Sequence, residues 1–371
     1  MNIVVVGGGL AAANAVEELR AQGYEGDLTL VGAESHLPYE RPPLSKGLLL
    51  GSAEPDSVFA HDAEWYAEHQ VELLLGSRVE ALDLDRGRVT LDGRELPYDR
   101  LLLATGATPR RLPIADEAGV PVTYLRTLDD SVALKERLTG RIVIVGAGWI
   151  GLEVAAAARE AGAEVTVVEQ ASQPLEAALG AEVGALFADL HRAHGVDLRL
   201  GTSVDAETLA GADLVVVGIG ARPDDDLARA AGLACDDGVL VDASLRASDP
   251  HVFAAGDVAR QDHPVLGRLR VEHWDAAIHQ GKHAARAMLG DDAAYDRLPY
   301  FFTDQYDLGM EYVGHVGPEG YDEVVIRGDR EALNVRVFWL RAGTVVAGMH
   351  LNDWDAIDPL RAAVGGPLPS G

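Results

Sequence analysis

The feature that most constrains this chain is a unit used twice. NIVVVGGGLAAANAVEELRAQG, at residues 2–23, is echoed by RIVIVGAGWIGLEVAAAAREAG at residues 141–162. Each copy reads as a β-branched run suited to a strand buried on both faces, then a tight glycine turn, then a helix. LTLV (28–31) and VTVV (165–168) supply the returning strand of each unit. In the first turn Gly7, Gly9 and Ala12 stand where a chain turns sharply, approaches a pyrophosphate and packs helix on strand; the second has Gly146, Gly148 and Gly151. The helix N-termini then face the phosphates. Glu34 and Glu169 follow near the tips of the second strands, where a carboxylate can accept hydrogen bonds from a ribose diol. A single glycine turn also marks ordinary strand-to-helix junctions, and a strand-end carboxylate can simply be solvated. Turn and carboxylate together, twice, point to two dinucleotide sites. No arginine lies between Glu169 and Leu175 to accept a 2′-phosphate, so NADH is expected over NADPH.

The rest of the pattern places the second unit inside the first. LLLATGATP closes the first sheet, LVVVGIGARP and VFAAGDVA read as buried strands ending in glycine, and DAAIHQGKHAARAML reads as a helix. From about Leu298, NVRVFWL and TVVAGMHL look like antiparallel strands joined by a turn at 341–343, and GGPLPSG is expected to be a disordered tail. The expected class is α/β: two Rossmann-like, glutathione-reductase-like domains (1–106 with 236–297, and 107–235) plus a small α+β domain at 298–371.

Composition removes several function classes. A formal charge of −28 over 371 residues disfavours binding to nucleic acid or an anionic membrane. Cys235 is the only cysteine, which excludes an internal disulfide, a redox dithiol and a cysteine-rich metal site, so redox chemistry must reside on bound cofactors. No metal site is expected. The start lacks a basic, apolar leader and no run of about 18 apolar residues follows, so a soluble cytoplasmic protein is expected.

Ala104, Thr105 and Gly106 (ATG) and the segment SDPHVFAAGDVA make the chain similar to two-dinucleotide-domain flavoproteins. PYERPPLSK, WYAEHQVEL, YLRTLDD, GWIGLEVA, VEHWDAAIHQG, FFTDQYDLGMEYVG and GMHLNDWD extend the similarity over nearly the whole length. These segments resemble the NADH-dependent ferredoxin reductases that serve haem monooxygenases and Rieske dioxygenases, grouped with rubredoxin reductases and apoptosis-inducing factor. The resemblance implies FAD at the N-terminal site, held by Gly7, Gly9, Ala12, Glu34, Arg41, Lys46, Val79, Thr105, Gly106, Arg126, Asp257, His273 and Trp274. It implies NAD at the second, held by Gly148, Trp149, Ile150, Gly151, Glu153, Glu169, Gly220, Glu272 and Phe302. It pairs Lys46 with Glu153 beside the flavin, as groups that tune and position rather than transfer protons.

Plainer roles stand beside these. Arg41 and Lys46 could be solvated charges, Glu153 a first-turn carboxylate favoured by the helix dipole, Arg126 a partner of Asp129 or Asp130, and Trp274 and Phe302 core residues. Phe302 replaces a usual Trp, and Ser248 a usual Thr. The implied activity is hydride transfer from NADH, with single electrons passed to a ferredoxin that feeds an oxygenase. Alternatives are a slow-turnover, partner-binding protein like apoptosis-inducing factor, a rubredoxin reductase, or an oxygen- or peroxide-reducing enzyme. Arg260, Arg268 and Arg270 are candidate docking residues for an acidic ferredoxin, and a monomer or homodimer is expected.

Overall fold

Each glycine-turn repeat heads a five-stranded parallel sheet. The computed structural model describes residues 1–317 and 320–370, in two units that are taken separately below.

The first unit comprises Met1–Glu40, Val58–Thr108 and Arg222–Pro299. Its sheet runs Val252–Ala254, Arg100–Leu103, Ile3–Val6, Leu28–Val31, Val71–Leu74 in spatial order, with every neighbouring pair parallel. Strands covered on both faces need unbroken apolar runs, and Leu101, Leu102 and Leu103 are accordingly buried. Helices Leu10–Ala21 and Trp274–Met288 pack together on this sheet. Their approach depends on Gly281, where an added Cβ would lie 2.3 Å from the Ala11 carbonyl oxygen. Two three-stranded sheets complete the unit, one from Val79–Asp83, Arg88–Leu91 and Arg94–Pro97, the other from Val239–Val241, Ala259–His263 and Gly267–Arg270.

The second unit comprises Arg41–Ser57, Pro109–Ala221 and the chain from Tyr300 onward. Its parallel sheet runs Asp197–Arg199, Glu164–Val168, Arg141–Val145, Leu214–Val217, Val122–Thr123. The C-terminal segment adds five antiparallel strands in the order Tyr300–Gln305, Leu308–Gly314, Thr344–Leu351, Asn334–Arg341, Glu323–Asp329, with helix Ile357–Ala363 against them. Buried Trp339 of this sheet donates its indole N–H to the Leu179 carbonyl at 3.0 Å, tying the sheet to the nucleotide-binding repeat. The PPLSK segment also belongs here. Pro42–Ser45 forms a 3-10 turn, Ser131 donates to the Leu44 carbonyl at 2.7 Å, and Arg41 donates to the Arg126 carbonyl, so the segment packs on helix Leu128–Lys135.

Two local expectations need correction. Arg341 pairs with Thr344, so the hairpin turn is only Ala342–Gly343, both at positive φ as a two-residue turn requires. The tail is pinned rather than disordered through Pro367: Val345 N–H donates to the Gly366 carbonyl at 2.8 Å and Pro367 bridges Thr344. Gly371 lies outside the described residues. Among the described residues no helix is long and apolar enough to cross a membrane.

Candidate active site

In the first unit the strand Ile3–Val6 lies between Leu28–Val31 and Arg100–Leu103, so the crevice for a ligand opens beyond its carboxyl end. Gly7 sits there at φ 122°, and a Cβ would fall 2.0 Å from the Ala104 carbonyl oxygen. Gly9 caps helix Leu10–Ala21 in an extended conformation, and a Cβ built on it meets nothing within 4 Å. Sterically forced glycine at the turn and open space before the helix N-terminus are what a pyrophosphate needs. Ala12 is fully buried. Glu34 is half-buried and accepts from the Tyr39 hydroxyl at 2.5 Å.

Other sequence-nominated residues of this unit gather at the same end. Thr105 donates to the Asp224 carbonyl at 2.7 Å, and the Gly106 carbonyl accepts from Asp224 N–H at 2.9 Å. Gly256 N–H is held by Gln280 at 2.9 Å, and its Cβ position is 3.2 Å from Ala11, which brings neighbouring Asp257 to the N-terminus of the first helix. His273 caps helix Trp274–Met288 by accepting Asp275 N–H, with Trp274 the first helical residue. Glu272 pairs with Arg270. Val79 opens its strand and is a core residue.

The second unit repeats the cradle. At Gly146, φ 101°, a Cβ would sit 2.4 Å from the Gly218 oxygen; at Gly151 it would sit 2.1 Å from the Gly146 oxygen; at Gly148 the nearest atom is 3.9 Å away. The first glycine is required by the turn, the third by helix-on-strand packing, and the middle one leaves room for phosphate. Glu169 accepts from Ala147 N–H at 2.7 Å and Ala171 N–H at 2.8 Å, so its carboxylate is fixed against the glycine turn with lone pairs left for a ribose. Gly220 is exposed at φ 92° with open space at its Cβ position. Ile150 is exposed beside this turn, whereas Trp149 packs against Phe301 at 5.0 Å and Phe187 at 6.3 Å.

Within the same unit Lys46 and Glu153 meet. Lys46 Nζ is 2.8 Å from Glu153 Oε1, and Glu153 is buried. The carboxylate also accepts from the Ser45 hydroxyl and, at 2.5 Å, from the Thr303 hydroxyl. Lys46 Nζ lies 5.2 Å from the centre of the Phe302 ring. Burial pushes the nearby Asp304 carboxyl up, against the pull of Lys46. Helix Trp149–Glu160 begins late enough that Glu153 is its fifth residue, beyond the first turn, so a helix-dipole role does not account for it. Asp130 accepts from the backbone N–H groups of Arg126 and Thr127, as part of a capping box.

The proposed docking arginines of the first unit are neutralised where they stand. Arg260 pairs with Asp236 at 2.7 Å, Arg268 with Asp262 at 3.5 Å, and Arg270 with Asp237 and Glu272. Three cations facing four carboxylates form no basic patch.

The model of the pyridine nucleotide-disulphide oxidoreductases matches residues 1–281, and that of the reductase C-terminal domain matches residues 300–366. The chain belongs to the pyridine nucleotide-disulphide oxidoreductase family. Its relatives include the ferredoxin–NAD(+) reductase component of the anthranilate 1,2-dioxygenase system of Burkholderia cepacia, 42% identical over 94% of this chain and 90% of that protein. Putidaredoxin reductase of Pseudomonas putida is 39% identical over 93% and 87%. Among solved structures, the covalent putidaredoxin reductase–putidaredoxin complex superposes with a TM-score of 0.93 at 37% identity, over 99% of this chain and 94% of that one.

This member of the disulphide oxidoreductase family is an FAD- and NAD(H)-dependent enzyme. It carries no dithiol, and burial together with Asp225 pushes the thiol of Cys235 up, away from the reactive thiolate. Sequence reasoning missed Ser45, Thr303, Gln305 and His191, which surround or extend the Glu153 cluster. Ser45 could have been found from its place beside Lys46. The others come from 38 to 152 residues away from Glu153 with no local signal.

Proposed function

We infer that this oxidoreductase takes a hydride from NADH and delivers single electrons to a ferredoxin that serves an oxygenase. What carries the reading is the likeness, along more than nine-tenths of the chain, to reductases named for ferredoxin and putidaredoxin, joined to two dinucleotide cradles. FAD supplies the conversion of a two-electron donor into single-electron deliveries. The chain's own residues bind and orient. Gly7, Gly9 and Ala12 let the first helix N-terminus approach the FAD pyrophosphate, Glu34 takes its ribose, and Thr105, Gly106 and Asp257 line the same end of the sheet. Gly148 and Gly151 do the same for NADH, and Glu169, already fixed by Ala147 and Ala171, selects the 2′-hydroxyl over a 2′-phosphate. Lys46 and Glu153 tune the hydride transfer electrostatically, and Arg126, His273, Trp274, Ile150, Gly220 and Phe302 complete the two sites. Orientation supplies most of the rate.

Anaerobic titration with NADH, followed by stopped-flow oxidation with candidate ferredoxins and rubredoxins, tests the reading. Flavin bleaching by one equivalent of NADH and fast reoxidation by a ferredoxin are expected. A long-lived NAD charge-transfer band with negligible turnover would overturn it in favour of a partner-binding flavoprotein.

A further inference from the structure

Behind the Lys46–Glu153 pair runs a line of buried polar side chains, all within the second unit, that hydride chemistry does not itself require. Thr303 Oγ1 donates to Glu153 at 2.5 Å, Gln305 Nε2 donates to Thr303 at 3.2 Å, and Gln305 Oε1 is 2.8 Å from His191 Nε2. Tyr306 approaches the other ring nitrogen of His191 at 3.4 Å, and its own ring stacks on His194 at 3.6 Å. Thr303, Gln305 and His191 are all essentially inaccessible to solvent. His191, the Thr303–Gln305 pair and Glu153 come from three separate elements: helix Ala181–Ala193, strand Tyr300–Gln305 and helix Trp149–Glu160.

The direction of every bond is forced from one end. A carboxylate paired with a lysine can only accept, so the Thr303 hydroxyl must donate to it and spend its lone pair on Gln305. Gln305 must then present its NH2 to Thr303 and its carbonyl to His191. His191 must carry its proton on Nε2, which leaves Nδ1 as an acceptor facing the Tyr306 hydroxyl. Four groups are thus locked in one polarity by the charge at Glu153. Burying so many polar groups is costly unless each is satisfied, and here each is.

We propose that Thr303 and Gln305, anchored on His191, are positioning residues that hold the Glu153 carboxylate, and through it Lys46, in a single orientation for hydride transfer. This rests on the role assigned to Lys46 and Glu153 above. Thr303 and Lys46 share one carboxylate oxygen and Ser45 holds the other, so neither oxygen is left to rotate. A group that must place charge on a reacting centre loses rate when it wanders by even a fraction of an ångström.

The test uses the oxidised holoenzyme and five variants: Glu153→Gln, Thr303→Val, Thr303→Ser, Gln305→Leu and, for assignment, His191→Asn. In the 15N spectrum of the histidines, His191, assigned by its loss in His191→Asn, is expected as the Nε2–H tautomer, and Gln305→Leu is expected to abolish that preference. In stopped flow, Thr303→Val and Gln305→Leu are expected to slow flavin reduction about tenfold with the KM for NADH unchanged, and Thr303→Ser to restore it. If Glu153→Gln slows reduction while Thr303→Val and Gln305→Leu do not, the positioning chain is overturned and the Lys46–Glu153 role stands. If Glu153→Gln reduces at the parent rate, both fall. An Nδ1–H tautomer for His191 in the parent overturns the chain irrespective of rates.

Discussion

Replacing Glu169 by alanine removes the acceptor of two backbone N–H groups in the second cradle as well as the acceptor for a ribose hydroxyl. The KM for NADH is expected to rise about tenfold, and the preference for NADH over NADPH to narrow because the repulsion of a 2′-phosphate goes with the carboxylate. Steady-state kinetics with both nucleotides measures this, and an unchanged preference would remove Glu169 from cofactor selection. His191 makes a second case. Burial holds its pKa at about 4, against the ordinary 6.5, with Gln305 opposing the shift and the neighbouring His194 adding to it. As pH falls below 6.5 the unfolded chain takes a proton that folded His191 refuses, so stability present at neutral pH is lost progressively down to about pH 4. The loss amounts to about 3 kcal/mol. His191→Asn should flatten that acid limb in urea titrations at pH 7, 5.5 and 4.5, and an identical limb in the variant would show that the histidine does not control it.

The glycine turns make separable predictions at the level of the element. Gly7→Ala drives a methyl into the Ala104 carbonyl and strains a positive φ, and is expected to yield little folded protein. Gly9→Ala meets no atom and has an extended backbone; it should fold with the parent circular dichroism yet fail to retain FAD, because the methyl occupies the phosphate space. Gly151→Ala pushes helix Trp149–Glu160 off the Gly146 carbonyl, and should keep FAD while losing NADH saturation. Absorbance of the bound flavin and NADH titration distinguish the three; FAD retained by Gly9→Ala would sink the assignment of the first cradle. These turns were legible in the sequence because strand, turn and helix are contiguous and their period is local. The surroundings of Glu153 were not legible beyond Lys46 and its neighbour Ser45. Thr303 is 150 residues away in sequence, and only the packing of the C-terminal sheet on the nucleotide repeat brings it within reach. The arginines before Glu272 misled for a related reason. Their charges are visible in the sequence, but Asp236 and Asp237, which cancel two of them, lie 24 and 33 residues earlier and pair only through the three-stranded sheet.

At the scale of the whole molecule, 59 acidic side chains against 31 basic ones leave a charge of −28 that local pairing cannot remove. Such self-repulsion favours expanded states, and an acidic ferredoxin approaching this surface meets the same field. Raising ionic strength from about 10 to about 150 mM shortens the screening length from about 30 to about 8 Å, which leaves close pairs such as the buried Lys46–Glu153 contact largely intact while damping the long-range repulsion. The thermal unfolding midpoint is therefore expected to rise by several degrees over that range, and the KM for an acidic ferredoxin to fall. Because Arg260, Arg268 and Arg270 already face four carboxylates, replacing all three by alanine should change that KM less than about twofold at low salt. A KM that instead climbs steeply with salt would mean that attraction outweighs the net charge at the docking point, and the search for the electron-exit surface would then turn to cations other than these three.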